Sequence, residues 1–376
     1  MGSRTLTAAG TAAGLLALLS WTLAAAHRGA VPDTLGHAQV AAPVTLTGPD
    51  AEARRAALIR RAQLRLPDDI QPLPIEAAPD SGTLECRYLA KEADGTSAKF
   101  DCVLADGRTI KVKYGRNPEI HAETLATTLL MALGYPADRV TIVPRVRCYG
   151  CPRFPFATMQ FFQFLGADGV LGPHGFEHGY TDFTWAAVEH RFPAPAIQTS
   201  THTGWGWFEL HDSDAPPADV GALRLLAVFL AHWDNKSDNQ RLVCLDAGTP
   251  EQRTTDCARP LAMIQDLGST FGPTKLNVAT WLAQPLWKDR EHCLVTMQHL
   301  PYHGGTFGDA RIPEAGRQQL SARLTSLSDA RLRGMITTAR VPWFQSSTDD
   351  ARDLETWMSA FRSRIGQITD AGPCPT

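Results

Sequence analysis

His232-Trp233-Asp234-Asn235-Lys236-Ser237-Asp238-Asn239 is the stretch that decides how this chain is read. It stands directly behind a segment, 219–231, that is apolar almost throughout (Leu223, Leu225, Leu226, Val228, Phe229, Leu230), the pattern of a helix buried on most sides. A polar loop at the end of such a helix puts acids, a lysine and two amides at a fixed place beside a core. Downstream, Met263-Ile264-Gln265 reads as an apolar strand ending in Asp266-Leu267-Gly268, and 242–261 reads as a hairpin bracketed by Cys244 and Cys257.

Upstream of the loop, strand signals begin after Gly82. Segments 84–88, 100–104 and 109–114 alternate apolar and polar residues, and Asp94-Gly95 and Asp106-Gly107 punctuate them, which predicts a three-stranded antiparallel meander. A helix follows: Asn117 can cap it, Pro118 suits its first position, Leu125, Leu129 and Leu133 give the apolar spacing, and Gly134 ends it. Segments 139–147 and 156–162 read as further strands. Residues 166–203, rich in Gly, Pro, aromatics and His with one helical piece at 186–190, read as an insertion before a strand at 204–210. Its histidines, His174, His178, His190 and His202, lack the spacing of a metal-binding helix. The remainder is helical, and Leu354, Trp357, Met358, Phe361, Ile365 and Ile368 give the last helix a stripe suited to core packing.

With 44% hydrophobic and 20% charged residues over 376, the chain can bury a sizeable core. A formal net charge of −3 gives no basic excess for neutralising phosphates along a duplex, which argues against a nucleic-acid partner. Arg4, an uncharged Ala/Leu-rich run from 6 to 26, and Ala24-Ala25-Ala26 predict a signal peptide over 1–26, so the folded part is expected in the periplasm or outside the cell. The alternative is an uncleaved anchor, the one way this chain would contact a membrane. Residues 27–80, rich in Ala and Pro with a basic helical patch at 51–66, read as a tether packed loosely on the domain. Eight cysteines fit an oxidising compartment, and spacing pairs Cys86 with Cys102, Cys148 with Cys151 and Cys244 with Cys257, leaving Cys293 and Cys374 by default.

The loop from His232 to Asn239 resembles the catalytic loop of protein kinases, H-R-D-L-K-x-x-N. The His, the Asp, the Lys two residues later and the Asn five residues later fall in register behind a buried helix. Asp266-Leu267-Gly268 resembles their D-F-G element, and the third strand and its following helix offer the expected lysine and glutamate. The resemblance implies an α+β, two-lobed protein-kinase-like fold: a small antiparallel-sheet N-lobe with one helix over 81–215, and a mainly helical C-lobe over 216–376. It also implies ATP and Mg²⁺ or Mn²⁺ as cofactors, and a hydroxyl-bearing substrate. Lys113, held by Glu123, would neutralise the inner phosphates; Lys111 is the alternative, because alternation puts both lysines on one face. Asn239 and Asp266 would bind the metal through oxygen. Asp234 would take or orient the acceptor's proton, and Lys236 would steady the transferred phosphoryl group. Glu119, in the helix's first turn, suits the helix dipole.

Singly these residues have ordinary readings: a polar turn, a common tripeptide, a solvated strand lysine. Their joint order is what points to phosphoryl transfer. The pattern departs from ordinary protein kinases in three ways: no G-x-G-x-x-G loop lies between the first strands, Trp233 stands where an arginine reads activation-loop phosphorylation, and no A-P-E element follows Gly268. It is closer to atypical kinases of the secretory-pathway, spore-coat and lipid-kinase kinds. An inactive pseudokinase scaffold and an AMP transferase share the same motifs.

Overall fold

A computed structural model describes residues 27–30, 43–70, 82–167, 169, 172, 174–176, 178–246, 257–301, 307–345 and 350–375. The signal peptide expected over 1–26 lies outside them. In chain order the first elements are β1 (His27–Ala30), β2 (Val44–Thr45), α1 (Ala51–Arg60), β3 (Thr83–Leu89), β4 (Lys99–Val103), β5 (Thr109–Lys113) and α2 (Pro118–Ala132). Then come β6 (Arg139–Tyr149), α3 (Pro155–Phe164), β7 (His178–His190), β8 (Ile197–Gln198), α4 (Pro217–Leu230), β9 (Gln240–Cys244) and β10 (Pro260–Ile264). The chain ends with α5 (Val278–Leu282), β11 (Leu294–Val295), β12 (Ala310–Arg311), α6 (Glu314–Thr325), α7 (Asp329–Thr338), α8 (Val341–Gln345) and α9 (Asp350–Thr369). The class is α+β, as expected, with a largely antiparallel sheet early in the chain and helices dominating its end.

Two compact units divide the chain: residues 1–40, 76–115 and 143–190 form the first, and 41–75, 116–142 and 191–376 the second. The first is built on the predicted meander. β3 pairs antiparallel with β4, β4 with β5, and β5 with the end of β7 (Val112↔Val188, Ile110↔His190). Asp106-Gly107 turns as expected: Gly107 takes φ +84°, which a side chain resists, and donates to Leu104 O. β6 runs parallel to β3 and also pairs with β7, so the chain of pairings closes on itself. The closed sheet encloses Phe100, Ile110, Val112, Val146, Phe183 and Val188 with the Cys86–Cys102 and Cys148–Cys151 disulfides. These bonds and Cys244–Cys257 and Cys293–Cys374 are the four pairs that spacing and default suggested.

Three local expectations are corrected. Residues 156–162 are not a strand but lie in α3, because Pro155 opens a helix whose Phe156, Met159 and Phe162 share its buried side. The helical piece at 186–190 is the end of β7, a strand inside the supposed insertion, held by its ladder to β5. Residues 204–210 form no strand; a short 3-10 turn covers Trp207–Asp212. In each case tertiary pairing or packing overrides local composition.

The second unit is the helical one. α4 carries ten buried residues, Val220 to Leu230 without Arg224, and forms the middle of a core with α2, α6 and α9. Phe229, Phe271, Trp281, Trp357 and Phe361 make a contiguous aromatic cluster there, with centroids 4.9 to 6.4 Å apart. Into it runs Arg364, fully buried, whose guanidinium donates to the carbonyls of Trp281, Gln284 and Val228 at 2.9 to 3.2 Å.

The tether reading fails at 51–66, which packs into this core. Leu58, Ile59, Ala62 and Leu64 are buried, and Arg55 bonds the Gly204 carbonyl and both oxygens of Glu209. Gln63 N–H donates to Pro260 O, and Ala262 N–H to Gln63 O, so the segment lies along β10. Among the described residues no helix is long and apolar enough to cross a membrane. Because truncating Arg364 strands two buried carbonyls and a partly buried one, Arg364→Ala is expected to lower stability by about 3 kcal/mol or more, read by urea unfolding followed through tryptophan fluorescence. A loss below about 1 kcal/mol would mean water replaces the guanidinium.

Candidate functional site

The site is delivered by the end of α4. Ala231, though not glycine, adopts the left-handed conformation at φ 52°, and His232 N–H bonds Ala227 O while Ala231 N–H bonds Val228 O. This paired motif closes the helix and turns the chain sharply into the loop. His232 is fully buried. Neither ring nitrogen makes a well-aligned hydrogen bond, and the backbone of Asp266 is the polar group beside the ring.

The loop is braced by its own amides. Asn235, fully buried, donates from Nδ2 to His232 O at 2.7 Å, and Gln240 Nε2 donates to Asn235 O. Asn239 donates from Nδ2 to Asp234 O at 2.7 Å, spanning the five-residue interval of the motif. With the NH₂ end so used, the amide oxygen of Asn239 is the end left to face a cation. Asp234 is partly exposed, and the Lys236 ammonium stands 3.6 Å from its Oδ1.

Asp266 comes beside this loop through sheet register. β9 and β10 pair antiparallel from Gln240↔Ile264 to Cys244↔Pro260, and Gln265 N–H extends the ladder to Asn239 O at 3.1 Å. Asp266 follows at φ 50°, with its side chain exposed. Left-handed backbone is uncommon outside glycine, and aspartate is among the residues that tolerate it. Cys244–Cys257 closes the far end of the hairpin, where Asp246 also accepts from Ala258 and Arg259 N–H.

Of the other predicted residues, Glu123 lies in the same unit, 2% exposed on α2. Lys111 and Lys113 stand on β5 of the first unit. Lys111 is committed to Glu189, its register partner, with both carboxylate oxygens 3.0 Å from Nζ. Lys113 is 4% exposed. The insertion's histidines are dispersed: His174 Nδ1 bonds Tyr88 O and His202 bonds Glu52.

Sequence reasoning missed the supports. Trp205 Nε1 donates to Met263 O on β10. Gly204 lies so close to the loop that a Cβ there would run into the carbonyl oxygens of Ser237 and Gln240. The Gly-Trp-Gly-Trp pattern at 204–207 is the one signal that could have suggested a close backbone approach. Glu119, read as a dipole residue, forms an ion pair with Lys275.

No family model and no curated protein sequence matches the chain. Among solved structures it is similar to the Helicobacter pylori proinflammatory kinase CtkA, at 10% identity and a TM-score of 0.42, covering 77% of this chain and 96% of that one. It is also similar to a chain of the Shewanella oneidensis MR-1 toxin–antitoxin complex of HipA, HipB and operator DNA, at 12% identity and a TM-score of 0.29, covering 98% and 82%.

Burial pushes the His232 imidazole down to about 4, so the ring is neutral at neutral pH. Its folded value lies below its unfolded value of about 6.5, so the unfolded chain takes up the proton first as pH falls. Stability is therefore full above pH ~6.5 and is lost progressively toward pH ~4, and a His232→Gln variant is expected to lose that component of the slope in urea unfolding between those limits. An unchanged slope would assign the acid sensitivity to other groups.

Proposed function

We propose that this chain is an exported phosphotransferase of atypical kinase-like kind, using ATP and Mg²⁺ or Mn²⁺ to phosphorylate a hydroxyl on a protein, lipid or glycan. The observation that carries the reading is the braced loop: Asn239 is tied by its amide to the Asp234 carbonyl, and Gln265 bonds Asn239, so one backbone ladder joins a carboxylate, a lysine, an amide oxygen and Asp266. These donors are hard oxygens, which suits Mg²⁺ or Mn²⁺ rather than a thiophilic ion. The divalent ion, when bound, would neutralise charge on the phosphates.

The residues divide the remaining work. Asn239 and Asp266 would hold the ion. Asp234 would accept the acceptor's hydroxyl proton as the acceptor oxygen bonds to the γ-phosphorus and the bond to the β-phosphate oxygen breaks, leaving ADP. Lys236, already beside Asp234, would balance charge on the transferred group. Lys113 is assigned the inner phosphates by its place in the resembled strand motif, with Lys111, which pairs with Glu189, as the alternative. Four disulfides support a location outside the cytoplasm.

The test is label transfer from ATP with Mn²⁺, comparing γ- with α-labelled nucleotide. Incorporation is expected from the γ position, falling by about 100-fold or more in Asp234→Asn and Asp266→Asn. Label arriving only from the α position would replace the reading by nucleotidyl transfer. Wild-type protein that binds no ATP by calorimetry would replace it by a scaffold.

A further inference from the structure

The segment after Asp266-Leu267-Gly268 is bound so tightly to its surroundings that its geometry calls for an explanation. Phe271 N–H donates to Leu230 O at 2.8 Å, and its ring lies in the aromatic cluster. Lys275 N–H bonds Gly272 O, Leu276 N–H bonds Thr270 O, and Asn277 N–H bonds Phe271 O, all at 2.9 to 3.1 Å. Within this knot Phe271, Lys275 and Leu276 take φ values of 58°, 59° and 44°. Consecutive left-handed residues other than glycine cost free energy, and they persist where the surroundings over-determine them.

What the strained pair presents is one side chain. The Lys275 ammonium forms an ion pair with Glu119 in the first turn of α2, and it lies 5.5 Å from the centroid of the Trp233 ring. Trp233 is fixed in turn, its backbone N–H donating to Ser269 O and its indole N–H to Gly272 O, both at 3.3 Å. Glu119 is also tied to the motif, because a Cβ on Gly268 would touch its side-chain carbons at 3.0 Å. Lys275 therefore joins three things at once: the residue before Asp234, the segment after Asp266, and the helix that carries Glu123 one turn beyond Glu119. Both partners are mostly buried, with side chains 24% and 12% exposed, so solvent screens the pair weakly.

We propose that Lys275 is a built-in latch that holds α2 against the catalytic loop permanently, so that this site needs no phosphorylation to assemble. The proposal rests on the phosphotransferase reading of the loop and adds its regulation. Trp233 is part of the device: the position that carries an arginine in the resembled loop here offers an aromatic face to a cation supplied by the protein's own segment. Lys275 is a positioning residue, acting through Glu119 and Trp233.

The experiment measures two things on the full chain with Mn²⁺ and ATP: turnover, and hydrogen exchange across residues 118–132. Lys275→Met and Glu119→Gln are each expected to lower kcat about tenfold, the double variant no further than either alone, and Lys275→Arg to retain most of it. Exchange in α2 is expected to rise in Lys275→Met while the melting transition stays cooperative, which separates release of the helix from failure to fold. Phosphatase treatment of the wild type is expected to leave kcat unchanged. Unchanged α2 protection in Lys275→Met, additive losses in the double variant, or activity lost to phosphatase would each overturn the latch. Wild-type protein that turns over no ATP, with α2 exchange still rising in Lys275→Met, would overturn the phosphotransferase reading and leave the latch standing.

Discussion

The register of the β9–β10 hairpin is the constraint on which the candidate site depends. Gln240 opposite Ile264, continued by Gln265 N–H to Asn239 O, fixes where the end of the loop lies relative to Asp266. A slip of one residue would turn every side chain of one strand to the other face and move Asn239 away from Asp266. Two short strands alone would hold register poorly. Here both edges are supported: residues 61–63 lie along β10, and Ala196 bridges Val243 while Cys244 N–H bonds Pro195 O. The Cys244–Cys257 bond pins the far end, and Trp205 reaches Met263 O from the side.

The other anchor is the buried helix. α4 is apolar on nearly every side, so it cannot rotate without exposing leucines, each worth roughly 1.5–3 kcal/mol when buried. Its closing turn at Ala231 therefore starts the loop from a fixed point. Arg364 stiffens the same helix from α9, holding Val228 O together with the carbonyls that end α5. Helix end and hairpin register define the two ends of an eight-residue loop, and the amides of Asn235 and Asn239 fix what lies between them.

Much of this was legible because it is local. The meander with its Asp-Gly turn, the capped helix opened by Asn117 and Pro118, the buried helix, and three of the cysteine pairings each follow from residues near one another or from simple spacing, while Cys293–Cys374 follows by elimination. The failures are non-local. Residues 156–162 and 186–190 are short enough to be helix or strand; the ladder to β5 made the second a strand, while Pro155 and a buried face made the first a helix. The basic patch at 51–66 reads as part of a loosely packed tether because nothing in it announces that Arg55 will meet Glu209 or that Gln63 will meet β10. Lys275 lies in a Gly-Pro-Thr-Lys segment that reads as loop, and its pairing with Glu119 spans 156 positions.

These supports come mostly from backbone groups and amides around the candidate residues. Burying a carboxylate sets the cost of desolvation against the charge that a cation needs. The fold buries His232 and Asn235 instead, and braces the loop through backbone carbonyls and amide NH₂ groups. Asp266 stays exposed and Asp234 partly so. Asn239 divides the two tasks within one side chain: its nitrogen holds the loop and its oxygen is left for a ligand. An oxygen that itself held the loop together would have to give up that bond to bind an ion. Placing the structural bonds on the backbone removes this conflict, which is why the five-residue interval between Asp234 and Asn239 is a property of the loop's geometry as well as of its chemistry.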